Sequence, residues 1–262
     1  MRGVRLGAVN YLNARPLVYG LEMRNDLFSV RFDVPSTCAA LLHEGSIDVG
    51  MIPSIEYLRG RDYRITRGIG IISEGPVASV ALFTTTPIEQ IRTIAADTSS
   101  RTSYALLRIL CVERFGMDPE FQLMAPDPER MLRQCDAALL IGDPALFLDH
   151  EQLGAEKIDL GEQWTSMTGL PFVWAFWAGR PDVLSRAAVS ALVEARDAGV
   201  AASDSIAAAY CGPRRAVRGQ AYLKDNIRYT MGEREEAGLL AYYDFAERHG
   251  IVDAAVTPVF YR

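Results

Sequence analysis

The chain has 262 residues, of which 49% are apolar and 23% charged, and it carries a formal net charge of −6 at pH 7. That length supports one large domain or two lobes with a substantial core. The acidic balance argues against general nucleic-acid or membrane-surface binding, and no run of 18 apolar residues offers a membrane span. Lys157 and Lys224 are the only lysines, so arginine carries nearly all the positive charge, which reads as base composition rather than function. Cys38, Cys111, Cys135 and Cys211 lie too far apart for a zinc or redox motif and read as buried free thiols. The first apolar stretch is too short for a secretion signal, so a cytoplasmic location is expected.

Val4 to Val9 predicts a first strand, Asn10 to Arg15 a polar loop, and Pro16 the first turn of a helix to about Met23. Val30, Phe32 and Val34 alternate as a second strand. Pro35-Ser36 opens a helix, with Ser36 as candidate N-cap, and Gly45 ends it. Ile47 to Ile52 is a third strand, Pro53-Ser54 opens a short helix, and strands follow at about 65–72 and 77–83. A second set begins at Pro87: strand 92–96, helix 103–115, strand 121–124, helix 128–135, strand 137–141, helix 143–149, and strands near 157–160 and 172–178. From Asp182 the chain reads as helical. Leu184, Ala187, Ala188, Ala191, Leu192 and Ala195 form one stripe stopped by Gly199, and Glu233 to His249 is a last amphipathic helix.

Strands alternating with helices imply βαβ units and mainly parallel sheet. The expected architecture is a two-lobed α/β clamp with a hinge of two crossover strands and a C-terminal helical portion. Lobe one would be residues 1–83 plus 178–262 and lobe two 84–177. The ligand cleft would lie between them, at strand C-termini and helix N-termini.

The strongest local signal is Asp-Thr-Ser-Ser-Arg-Thr-Ser at 97–103, a strand end, a hydroxyl-rich turn and a helix start. Unpaired N–H groups and the positive end of the helix dipole suit an anion there. Thr98, Ser99, Ser100, Arg101 and Thr102 add donors and are candidate ligands for a small acid. Asn13 either caps the Pro16 helix or turns its amide to a substrate oxygen. Arg15 either pairs with a carboxylate or lies on the surface. Ser36 and Ser54 sit at two further strand-to-helix turns. Glu56, in the first turn after Ser54, is favoured there by the dipole or serves as a base. Ser79, within an apolar crossover strand, needs a hydrogen-bond partner in the protein or the ligand. Gly142 permits close backbone approach, Asp143 is placed to cap the next helix or to face the cleft, and Thr168 and Pro171 stand at the mouth. His43, His150 and His249 fall near helix ends outside these segments, which argues against a Ser-His-Asp arrangement. No phosphate loop or metal-ligand cluster occurs, so neither cofactor nor metal is expected.

Six segments in order resemble the chorismate dehydratases of the futalosine route to menaquinone. They are Tyr-Leu-Asn-Ala-Arg-Pro-Leu at 11–17 with Gly20-Leu21, Asp48 with Ile-Pro-Ser-Ile-Glu-Tyr at 52–57, Gly-Pro-Val-Ala-Ser at 75–79, Thr-Ser-Ser-Arg-Thr-Ser at 98–103, Leu-Leu-Ile-Gly-Asp at 139–143 with Ala145, and Gly-Leu-Pro-Phe-Val at 169–173. Pro144 departs from the small residue expected after the Asp. The resemblance implies a type II periplasmic-binding-protein fold turned into a cytoplasmic enzyme that dehydrates chorismate, a small dicarboxylate, to 3-[(1-carboxyvinyl)oxy]benzoate. No obligate protein partner is implied. Glu56, Asp143 and the substrate's own enolpyruvyl carboxylate are the candidate bases, and the last is favoured. Asn13 and Ser79 would then position that carboxylate and the departing hydroxyl. Ser36, Ser54, Thr98, Ser99, Ser100, Arg101, Thr102, Gly142, Asp143 and Pro171 would bind substrate. Two alternatives stand beside this reading. One is the related 1,4-dihydroxy-6-naphthoate synthases, which rely on a cleft histidine not placed here. The other is a non-catalytic small-acid binding protein.

Overall fold

In the computed structural model, residues 3–261 are described; positions 1, 2 and 262 of the expected first lobe lie outside the described residues. The chain begins with β1 (Val4–Val9), β2 (Phe28–Asp33), α1 (Pro35–Glu44), β3 (Val49–Pro53), β4 (Arg64–Ile65) and β5 (Ile71–Ser73). It then runs through β6 (Val80–Thr84), β7 (Thr93–Asp97), α2 (Thr102–Leu110), β8 (Glu120–Met124), α3 (Pro128–Gln134), β9 (Ala137–Ile141), α4 (Gly142–Leu146), β10 (Glu156–Asp159) and α5 (Leu160–Thr168). The return strand β11 (Phe172–Gly179) leads to α6 (Arg186–Ala201), α7 (Ser203–Cys211), α8 (Ala216–Ala221) and α9 (Glu233–Arg248).

Two sheets result. One has the order β2-β1-β3-β11-β4, with β5 also on β11, and the other β10-β6-β9-β7-β8. In the first sheet β1 is parallel to β2 and β3, and in the second β7 is parallel to β8 and β9. In each, the strand that arrives from the other half is antiparallel: β11 against β3 and β6 against β9. Both sheets are therefore mixed, and the expected parallel character holds for three strands of each. The chain leaves the first sheet between Ser73 and Val80 and returns between Thr168 and Phe172, a few residues ahead of the expected 83 and 178. The whole of β6 is buried in the second sheet and nearly all of β11 in the first, as suits strands covered on both faces.

Local chemistry revises several boundaries. The helix expected from Pro16 is a pair of 3-10 turns, Leu12–Val18 and Leu21–Met23, because Pro16 lacks an N–H and Gly20 turns left-handed at φ 73° between them. Ser36 is not an N-cap: Val34 holds that position, with Pro35 next. The strand expected at 65–72 breaks into β4 and β5, with Gly68 at φ 76° between them. Helix α5 was not expected. Its Trp-Thr-Ser-Met-Thr run has poor intrinsic propensity, and Asp159 rescues it as N-cap by accepting from Gly161 and Glu162 N–H.

Burial joins the halves. Trp164 of α5, Phe172 of β11 and Tyr242 of α9 pack edge to face, with centroids 5.2, 6.2 and 4.8 Å apart. Trp164, Phe172 and Tyr242 are all fully buried. Cys38, Cys111 and Cys135 are buried thiols and Cys211 is half-buried; all four are free. Helix α6 lies on the 3-10 turn that carries Asn13, and a Cβ on Gly199 would stand 2.0 Å from the Pro16 carbonyl oxygen. Backbone on both sides leaves nothing to yield. Gly199→Ala should lower unfolding stability by about 1–3 kcal/mol, read by urea denaturation.

Candidate functional site

Between the two sheets lies a cavity of about 550 Å³, counting its open mouth. Its walls are made by the ends of both sheets: Val9 and Pro53 end β1 and β3, Ile141 ends β9, and Val80 and Trp174 belong to the two crossover strands. The lining is largely apolar, so its few polar groups define what it holds.

On one side stand Asn13, from the 3-10 turn, and Ser79, from the segment entering β6. The Ser79 hydroxyl meets the Tyr222 hydroxyl at 2.7 Å. Tyr222 is 2% exposed, and its hydroxyl also lies beside the Asn13 side chain. Asn13 Oδ1 is buried and without a hydrogen-bond partner. Burial pushes the Tyr222 phenol well above its ordinary range, so it stays protonated. The Trp174 indole donates to Ser73 Oγ at 3.0 Å, which fixes the aromatic wall.

On the other side is the start of α2. Arg101, Thr102 and Ser103 line the cavity there, with Ser99 beside them. No side chain among the described residues caps this helix end, and its first amides have no intrahelical acceptor. The turn is braced from below by Asp97, fully buried, whose Oδ1 accepts from the Ser99 N–H at 2.8 Å and the Ser99 hydroxyl at 2.7 Å. Burial pushes the Asp97 carboxyl up, against the Ser99 bonds that pull it down. The Ser99 proton is thus committed to Asp97. Ser100 Oγ is buried without a partner, Arg101 is exposed at the mouth, and Thr98 is exposed with its N–H given to the Met124 carbonyl.

Other candidate residues serve the joint between the lobes. Thr102 Oγ1 meets Ser54 Oγ at 3.3 Å and accepts from Ile55 N–H at 3.2 Å. Ser54 is fully buried, and its carbonyl accepts from Tyr243. Asp143 does not cap α4, whose N-cap is Ile141. Its carboxylate instead accepts from Leu12 N–H at 3.1 Å and from the Tyr210 hydroxyl at 2.5 Å. Burial pushes the Asp143 carboxyl up, and those two bonds pull it part of the way back. Gly142 does line the cavity. It has φ 64°, and a Cβ there would meet the Tyr11 ring at 2.6 Å, so only glycine fits.

Ser36 and Pro171 lie outside the lining. Ser36 sits one residue past Pro35, which takes the wall position. Pro171 is buried behind β11 and its carbonyl accepts from the Trp164 indole. Arg15 lies between the Phe32 and Tyr210 rings, at 4.8 and 4.9 Å, and bonds Asn10. Sequence reasoning missed Tyr222 and Tyr210. Both read as apolar helix positions, and their partners stand 143 and 67 residues away.

No histidine lines the cavity among the described residues. Glu56 is also outside it: the carboxylate is buried and accepts from His43 Nε2 at 3.0 Å and Arg59 at 2.6 Å. Burial would raise its pKa, but the His43 bond and the Arg59 charge outweigh that and hold it below the ordinary value. Its stabilisation is therefore full at neutral pH and lost as pH falls through the carboxylate range. Glu56→Gln should cost about 1–3 kcal/mol of stability at pH 7 with turnover retained, and the gap to the unsubstituted protein should close below about pH 4. Denaturation curves at several pH values check both.

Comparison with known proteins places this geometry. The profile of a family described as menaquinone biosynthesis matches residues 4–248. A chorismate dehydratase of Thermus thermophilus is 32% identical over 286 positions, covering 100% of this chain and 99% of that protein. Among solved structures, a protein of Archaeoglobus fulgidus superposes with a TM-score of 0.77 at 19% identity, over 96% of this chain and 99% of the other. The periplasmic aliphatic sulphonate-binding protein of Escherichia coli does so with a TM-score of 0.71 at 18% identity, over 100% and 94%. These two likenesses are of fold, and the fold is that of the periplasmic binding proteins.

Proposed function

The chain belongs to the menaquinone-biosynthesis family, and on that footing we propose that it is a chorismate dehydratase acting in the futalosine route. The cleft would take chorismate, a ring bearing two carboxylates, and release water and 3-[(1-carboxyvinyl)oxy]benzoate. The cytoplasm is the location this reading implies, since the family it resembles is cytoplasmic. No helix among the described residues is long and apolar enough to cross a membrane.

One observation carries the reading beyond family membership. A polar group of Asn13, Ser79 and Tyr222 stands on one side of a largely apolar cavity whose other side includes the start of α2. A dicarboxylate with an apolar ring matches that division. The ring carboxylate would sit at the N–H groups of 101–103, where a helix N-terminus favours negative charge. There it would also stabilise charge that spreads into the ring as the C3 proton leaves.

The reaction removes the C3 proton and the C4 hydroxyl, and the aromatic ring formed makes it downhill. What remains for the protein is orientation, a base and help for the leaving group. Glu56 is engaged by His43 and Arg59 away from the cavity, and Asp143 by Leu12 and Tyr210. That leaves the substrate's enolpyruvyl carboxylate as the base we favour, held over C3 by the Asn13 amide. Ser79, hydrogen-bonded to a protonated Tyr222, would donate to the departing hydroxyl.

Incubating the protein with chorismate should yield the substituted benzoate, followed by chromatography and ultraviolet absorbance; absence of an aromatic product sinks the assignment. Asn13→Ala and Ser79→Ala should each lower kcat about 100-fold while KM moves only a few-fold. Near-normal turnover in both would remove their assigned roles.

A further inference from the structure

Ala78 stands immediately before Ser79 and has φ 61°. Among the described residues three non-glycine positions have positive φ, and the other two, Asp62 and Asp182, are exposed aspartates, a type that tolerates this region. Alanine has no such excuse, because its Cβ crowds the backbone there. The Ser79 N–H donates to the Val77 carbonyl at 2.7 Å, so Ala78 is the middle of a three-residue turn of the strained, positive-φ kind. Val77 and Ser79, on either side, both line the cavity. Strain of this sort persists only where neighbours over-determine it.

Two side chains on one short strand do so. Asp159 Oδ1 accepts from Val77 N–H at 3.0 Å and Oδ2 from Ala78 N–H at 2.7 Å. The Lys157 ammonium donates to the Ala78 carbonyl oxygen at 2.6 Å. The Ala78 peptide groups are thus gripped at both ends, N–H by an anion and C=O by a cation, and such charge-assisted bonds are the strong kind. Both residues lie on β10, which pairs with β6, the strand that Ser79 leads into. Asp159 has a second duty as N-cap of α5, whereas the Lys157 ammonium makes no other hydrogen bond among the described residues.

We propose that Lys157 is a positioning residue: its ammonium holds the Ala78 turn in its left-handed form and so aims the Ser79 hydroxyl at the substrate. The inference rests on the dehydratase reading for its kinetic consequence, but the clamp itself does not. Lys157 acts through the backbone of residue 78 and does not touch the cavity.

Glycine at 78 adopts positive φ without crowding, so it needs no clamp. That makes Ala78→Gly a specific rescue. Lys157→Met, which keeps the length and apolar stem, should lower kcat about tenfold or more with KM within about threefold. Ala78→Gly alone should stay near the unsubstituted rate, and the double variant Lys157→Met/Ala78→Gly should recover to within about threefold of it. A merely structural lysine would lose thermal stability without this rescue. Lys157→Leu gives the same comparison if the Met variant accumulates poorly. Amide hydrogen exchange over residues 77–79 provides a readout free of chemistry, and should speed at least about tenfold in Lys157→Met. Unchanged exchange, or normal kcat in Lys157→Met beside a crippled Ser79→Ala, overturns the clamp and leaves the dehydratase reading standing. An unsubstituted protein that makes no aromatic product, with exchange still faster in Lys157→Met, overturns the reading and leaves the clamp.

Discussion

Parallel strands point their carboxyl ends the same way, and here two sets of them must point at one gap. Val9 and Pro53 end strands of the first sheet at the cavity, and Asp97 and Ile141 end strands of the second beside it. A chain that passes between such sheets can enter each only from the cavity side. It therefore runs antiparallel to the strands it joins, as β6 and β11 do. Both crossover strands take interior positions in their sheets, so residues at their entry points, Val77, Ser79 and Val80 on one and Trp174 with Ala175 on the other, become lining. The direction of two strands decides where every polar group of the site lies.

The resulting chamber is mostly hydrocarbon with polar groups at opposite sides. Electrostatic interactions in such surroundings are stronger than in water, and unpaired polar atoms are correspondingly costly. Asn13 Oδ1 and Ser100 Oγ are unpaired and buried at or beside this chamber. Ser99 is in the opposite condition, since its proton is committed to Asp97. What this hydroxyl-rich turn leaves free toward the chamber is chiefly its backbone amides, and Ser99 with Asp97 holds its shape.

Much of the fold was legible in the sequence because its elements end on punctuating residues. Gly45 and Gly116 close helices with left-handed caps, Pro35 and Pro128 open them, and alternation or apolar runs mark the strands. What was not legible is long-range. Nothing near Tyr222 announces that its hydroxyl will meet Ser79, and nothing near Asp143 announces Leu12 and Tyr210. The capping role expected of Asp143 failed because a tertiary donor outcompeted the local amides. Ser54 and Thr102 looked like independent anion ligands, yet each satisfies the other. The Asn13, Ser79, Arg101 and Gly142 positions fell on the cavity wall because strand-end turns face it by topology.

The bonds of Asp143 to Leu12 and Tyr210, and of Thr102 to Ser54 and Ile55, run from one half of the molecule to the other. They are made between protein groups alone, so the closed arrangement carries its own latch. Any parting of the halves would break these four bonds and leave Asp143 and Thr102 short of partners, so the shape of the chamber does not wait on a guest to draw its walls together. A guest that enters by the mouth meets walls already in place, and little of its binding energy goes into arranging them.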